Sequence, residues 1–133
     1  MVDIEISNIK IENMIYEIRG KQVMIDGDLA YLFGYTTKDL NRNVKNNKNR
    51  FSEDYCFRLT EEEFKSLRCK FFTIKNGRGE HRKYLPYVFT EYGITMLAGI
   101  LKSEIAVKMS LKIVNTFITM KNIYRLTYLS KNI

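Results

Sequence analysis

Residues 26–51 read DGDLAYLFGYTTKDLNRNVKNNKNRF. The stretch has the punctuation of two helices joined by a tight turn. Asp26 suits the N-cap of the first helix, and Gly34 suits a left-handed end that a residue with a Cβ avoids. Thr36 or Thr37 can cap the second helix. Ala30 is small where two helices would cross, and Tyr35 and Leu40 offer apolar packing beyond the turn. These parts follow the order of a helix-turn-helix. One position departs from it: the last apolar anchor is Val44, and Asn43 stands where that anchor is expected.

Helical periodicity, at ~100° per residue, sharpens the second segment. With Leu40 at the origin, Val44 falls beside it, while Lys38, Arg42, Lys45, Asn46 and Asn49 fall opposite. The apolar stripe is narrow and the outer face is basic and amide-rich. Such a face is either a solubilising surface or a surface for a polyanion.

The distribution of charge bears on that choice and by itself leaves both meanings open. The chain has 133 residues and a net charge of +7. Residues 36–50 carry five basic groups and one acid, a local +4, and residues 65–83 carry seven and one, a local +6. The remainder of the chain therefore sums to −3. Positive charge confined to short segments is the footprint of a polyanion binder.

Outward from this centre, Val2, Ile4 and Ile6 alternate with polar residues, predicting a strand. Met14–Ile18 and Val23–Ile25 flank Arg19-Gly20-Lys21 and predict a hairpin with a glycine turn. Cys56–Leu59 predicts a short strand. Thr60 and Glu63 form a capping-box pattern ahead of a helix whose inward face is Phe64, Leu67 and Phe71. Glu61–Glu63 suit the positive end of that helix better than a metal site.

Residues 71–89 read FFTIKNGRGEHRKYLPYVF and predict two aromatic strands around a basic tip, a wing, with Pro86 at an edge or bulge. From Thr90 the pattern is helical, with a break near Leu101-Lys102 and Ser103 capping a long last helix. Its stripe is Ala106, Met109, Ile113, Phe117, Met120 and Tyr124. Beyond about residue 120 the stripe lacks an internal partner, which points to dimerisation, a lead into a further C-terminal region, or a frayed end.

Composition bounds the class. With 45% hydrophobic and 13% aromatic residues, one folded domain is expected. No apolar run approaches the ~20 residues of a membrane span, and the N-terminus has no signal-peptide core. A cytoplasmic protein without membrane association is the expectation, with Cys56 and Cys69 as reduced thiols. The lone His81 falls in a loop, and the two cysteines lack zinc-ligand spacing. Neither a GxxxxGK[ST] loop nor a GxGxxG is present. No catalytic residue, metal ligand or cofactor is assigned, and no enzyme is expected. A compact nuclease with dispersed acids is the residual enzymatic alternative.

Three blocks, in order, carry a resemblance: IRGKQVMIDGDLAYLFG, LNRNVKNNKNRFSEDYCFRLTEEEFKSLR and RKYLPYVFTEYGITMLAGIL. Over about residues 10–122 they resemble the phage "open reading frame six N-terminal" domain, related to the KilA-N and Bro-N domains. The resemblance implies a small α+β, KilA-N-like DNA-binding domain, found in phage and prophage regulators and antirepressor-like proteins. In this α+β reading the helix-turn-helix-like pair, a basic β-hairpin wing and a long C-terminal helix make up the fold. Residues 1–122 form the domain and 123–133 a helical extension. Ser52 stands where the family's RFPEDF-like segment usually has proline.

The expected partner is double-stranded DNA. Arg42, Asn46 and Asn49 are the candidates for base contact, by the pairing of arginine with guanine and of asparagine with adenine. Thr37, Lys38, Lys45, Lys48 and Arg50, with Lys75, Arg78, Arg82 and Lys83 of the wing, are the candidates for phosphate. Two other readings stay open. One is a protein-interaction module for a repressor or another protein, with the C-terminal helix as apolar anchor or homodimer contact. The other is an RNA or single-strand binder that stacks bases on Phe71, Phe72, Tyr84 and Tyr87.

Overall fold

The computed structural model describes residues 8–75 and 84–131. Helix α1 (Asn8–Glu12) leads into strands β1 (Ile15–Ile18) and β2 (Lys21–Ile25). Helices α2 (Asp26–Phe33) and α3 (Thr37–Asn46) follow, then a 3-10 turn over Lys48–Arg50. Strand β3 (Cys56–Arg58), helix α4 (Glu61–Lys75), strand β4 (Tyr87–Thr90) and helices α5 (Glu91–Leu101) and α6 (Glu104–Lys131) complete the order. The fold is α+β with a long C-terminal helix. The expected strand at Val2–Ile6 lies outside the described residues.

The β1–β2 hairpin turns on two residues, Arg19 (φ 56°) and Gly20 (φ 73°). Positive φ at both positions is the turn whose twist matches paired strands. The Arg19 guanidinium grips Glu63 at the start of α4 with two bonds of 2.8 and 2.9 Å and lies 4.3 Å from the Phe57 ring. Glu63 also accepts the Thr60 N–H at 2.9 Å while the Thr60 hydroxyl accepts the Glu63 N–H at 3.1 Å, completing the capping box.

The sheet is antiparallel, in the order β1-β2-β4-β3, so the last strand in sequence enters between two earlier ones. Both faces are covered, which explains the unbroken apolar runs of β2 and β4. On one face Val23, Ile25, Phe57 and Val88 pack with Leu67 and Phe64 of α4. On the other, Met24, Cys56 and Phe89 join the core supplied by α1, α2, α3, α5 and α6. The one-residue alternation along each strand divides these two sets.

The wing requires correction. Phe71–Lys75 are the last residues of α4, not a strand. Strand β4 pairs with β2 and β3, not with the segment just before it. The capping box starts a helix, and Phe64, Leu67, Phe71 and Ile74 continue at helical spacing through the aromatic run. The β-branched and aromatic residues read as strand formers are thus carried by a helix nucleated upstream. Pro86 precedes β4, where its carbonyl accepts the Leu59 N–H at 3.0 Å.

Asp26 also differs from expectation. Strand β2 runs directly into α2, so Ile25 is the N-cap, without a side-chain bond, and Asp26 is the first helical residue. Its buried carboxylate accepts from Gly27 N–H (2.7 Å), Asn41 Nδ2 (2.9 Å) and Tyr87 N–H (3.2 Å). A buried carboxylate needs such donors, and these tie α2, α3 and β4 together.

Helix α5 ends at Lys102 in the left-handed region (φ 53°). Ser103 then caps α6, its hydroxyl accepting the Ala106 N–H at 3.0 Å. Ala106, Met109, Ile113 and Phe117 are buried, whereas described side chains from Lys121 to Ser130 are exposed.

Candidate nucleic-acid interface

Helix α2 ends at Gly34 (φ 77°), whose N–H returns to Tyr31 while the Tyr35 N–H returns to Ala30. Helix α3 starts three residues later, at Thr37. The Thr36 hydroxyl caps it by accepting the Asp39 N–H at 3.1 Å. Leu40 is fully buried, Val44 is half-buried, and both pack on the core. Ala30 is buried on α2. These contacts fix which side of α3 faces outward.

Lys38, Arg42, Lys45 and Asn46 are exposed on α3, and Thr37 is half-buried at its start. Arg42 lies 3.4 Å from Asp39, an exposed pair one turn apart. Such pairs contribute little, so the guanidinium can exchange this partner for another anion. Asn43 and Asn47 turn their amides inward along the chain, to the carbonyls of Asp39 and Asn43, each at 2.9 Å. Asn43 thereby occupies the expected anchor position by bonding to its own helix instead of packing.

The continuous helical face expected over 37–49 ends earlier. Helix α3 stops at Asn46, because Asn47 takes φ −127° and ψ 30°. Lys48, Asn49 and Arg50, all exposed, sit on the 3-10 turn. Phe51 anchors that turn by packing edge-on against Phe89, with ring centres 6.1 Å apart. Asn49 therefore does not share the helical register of Arg42 and Asn46. Ser52 supports a turn without proline, its carbonyl accepting the N–H groups of Tyr55 (2.8 Å) and Cys56 (3.0 Å).

The second basic segment is not brought to this surface by the described residues. Lys75 ends α4, and its side chain lies outside the description, as do Arg78, Arg82, Lys83, His81, Phe71 and Phe72. Tyr84 and Tyr87 are exposed. Among the described residues no cluster of three or more His, Cys, Asp or Glu could hold a metal. The Cys56 thiol is pushed up to about 12, first by burial and then by Asp26, which keeps it protonated. No described helix is long and apolar enough to cross a membrane.

A separate cleft of about 790 Å³ opens between the β1–β2 hairpin and the outer part of α6. Tyr55, Tyr92 and Tyr128 line it beside Lys21, Glu91 and Lys121. Lys121 spans to Glu91 at 2.6 Å and Lys21 to Asp54 at 3.2 Å, so two of its three lining cations are paired internally, Arg125 being the third. None of the described candidate contact residues lines it.

These features define a small α+β domain with a helix pair, whose second helix exposes basic and amide side chains. The match to a family model gives that class its name. The chain belongs to the ORF6N domain family, whose model matches residues 13–100. The match runs from just before β1 into α5 and leaves out α6. No curated protein and no solved structure matches the chain.

Proposed function

We propose that the chain is a duplex-DNA-binding module of a phage-type regulatory protein. One observation carries this reading: Lys38, Arg42, Lys45 and Asn46 of α3 and Lys48, Asn49 and Arg50 of the adjoining turn are all exposed, while Leu40 behind them is fully buried. Helix α3 enters the major groove. Arg42 pairs with guanine O6 and N7, and Asn46 with adenine N6 and N7. Lys38, Lys45, Lys48 and Arg50 hold phosphates, with Thr37 at the helix start. Asn49 reads from the 3-10 turn. The module has no catalytic role and needs no cofactor.

Selection of binding sites from random duplex DNA tests this. A recovered motif that Arg42→Ala relaxes at a G·C position supports the reading. Enrichment of no duplex, or equal capture of single strands in competition, contradicts it.

A further inference from the structure

Helix α6 turns one face to the core and carries a second apolar stripe on the opposite face. Val107, Leu111, Val114, Ile118, Leu126 and Leu129 fall within one side of the helical wheel, roughly opposite Met109, Ile113 and Phe117. Five of them are 45–66% exposed: Val107, Leu111, Ile118, Leu126 and Leu129. The stripe runs most of the length of a 28-residue helix, about 42 Å. Asn122 and Arg125 are its polar interruptions, and Ile123 and Tyr128 fall outside it.

We infer that this stripe pairs with the same stripe of a second copy, the two α6 helices running antiparallel about a twofold axis at Ile118. A twofold interface needs a self-complementary patch. Val107 and Leu129 lie eleven residues either side of Ile118, and Val114 and Asn122 lie four either side. Leu111 lies seven before it, opposite Arg125 and next to Leu126 of the second copy. Ile118 thus meets itself and Val107 meets Leu129, Leu111 packs beside Leu126, and Val114 faces Asn122.

Charge and amides select the antiparallel sense. The outer half of α6 carries Lys121, Arg125 and Lys131 and no acid, and the inner half carries the only acid, Glu104, with Lys108 and Lys112. Parallel pairing would bring the two more cationic halves together, whereas antiparallel pairing sets each against the other's inner half and opposes the helix dipoles. It also places Asn122 beside Asn115 of the second copy, twice by symmetry, so both amides meet a partner at the edge of the seam. The five exposed residues supply roughly 500 Å² per copy, most of the ~800 Å² that one partner buries in a standard interface. The inference is independent of DNA binding and concerns a helix outside the family match.

Sedimentation of the full chain tests the pairing, and cross-linking tests its sense. The expected mass is twice 15.8 kDa, falling to the single-chain value in Ile118→Glu with unchanged far-UV circular dichroism. A short bis-maleimide should join Val107→Cys to Leu129→Cys when the two variants are mixed. Neither variant alone should cross-link above the unsubstituted chain, which carries its own cysteines. A monomer at every accessible concentration, an Ile118→Glu variant that stays dimeric, or stronger cross-linking of each variant with itself would overturn the proposal.

Discussion

Single residues lock this fold at places where distant segments meet. A Cβ at Gly93 would collide with the backbone carbonyl of Tyr55, the same carbonyl that accepts the Thr90 N–H at 3.0 Å. Neither backbone can yield cheaply, so Gly93→Ala should lower stability by ~3 kcal/mol or more in denaturant unfolding. Glu63 contributes a pH dependence in the acid range. Its carboxyl is held at about 2, first by the hydrogen bond from Arg19 and then by that from the Thr60 backbone. A depressed acid contributes stability above its unfolded value, near 4.5, and loses it as pH falls towards 2. The Tm gap between wild type and Glu63→Gln should therefore be widest above pH ~4.5 and close towards pH ~2. The Thr60–Glu63 box was legible because its partners are three residues apart. The role of Asp26 was not, because its Tyr87 donor lies sixty-one residues away.

At the scale of elements, local signals were read well where they agreed with one another. Gly34, Thr36 and Leu40 together specified the α2–α3 pair, and Ser103 marked the start of α6. Leu40→Ala should cost ~2–5 kcal/mol in the same unfolding measurement, since the side chain is fully buried between elements. Lys45→Ala should weaken duplex binding about equally for all sequences and reduce the magnitude of the salt slope by ~1, as measured by anisotropy. Arg42→Ala should instead cost ~1–3 kcal/mol on the preferred site alone. Strand propensity misled at Phe71–Lys75, where the helical spacing that began at Phe64 prevailed. The wheel carried α3 too far, because nothing in the polar run Asn46–Asn49 announces the change to a 3-10 turn.

At the scale of the molecule, the strand order was beyond the reach of local pattern. Strand β4 enters between β2 and β3 because Val88 and Phe89 serve opposite faces of a sheet covered on both sides. Short-range spacing carries no record of that pairing. The outward placement of Lys38, Arg42, Lys45 and Asn46, by contrast, was legible, since it depends on the periodicity of one helix over one buried leucine. The central claim is that this surface neutralises phosphates of duplex DNA. Its most direct test is the affinity of the full chain for a duplex as salt is varied, beside a variant combining Lys38→Ala, Lys45→Ala, Lys48→Ala and Arg50→Ala. The account predicts a linear fall of log affinity with log salt, at about −0.9 per phosphate contact, and a slope shallower by ~3–4 in the variant. Duplex affinity that ignores salt, or a variant that binds like wild type, would contradict it.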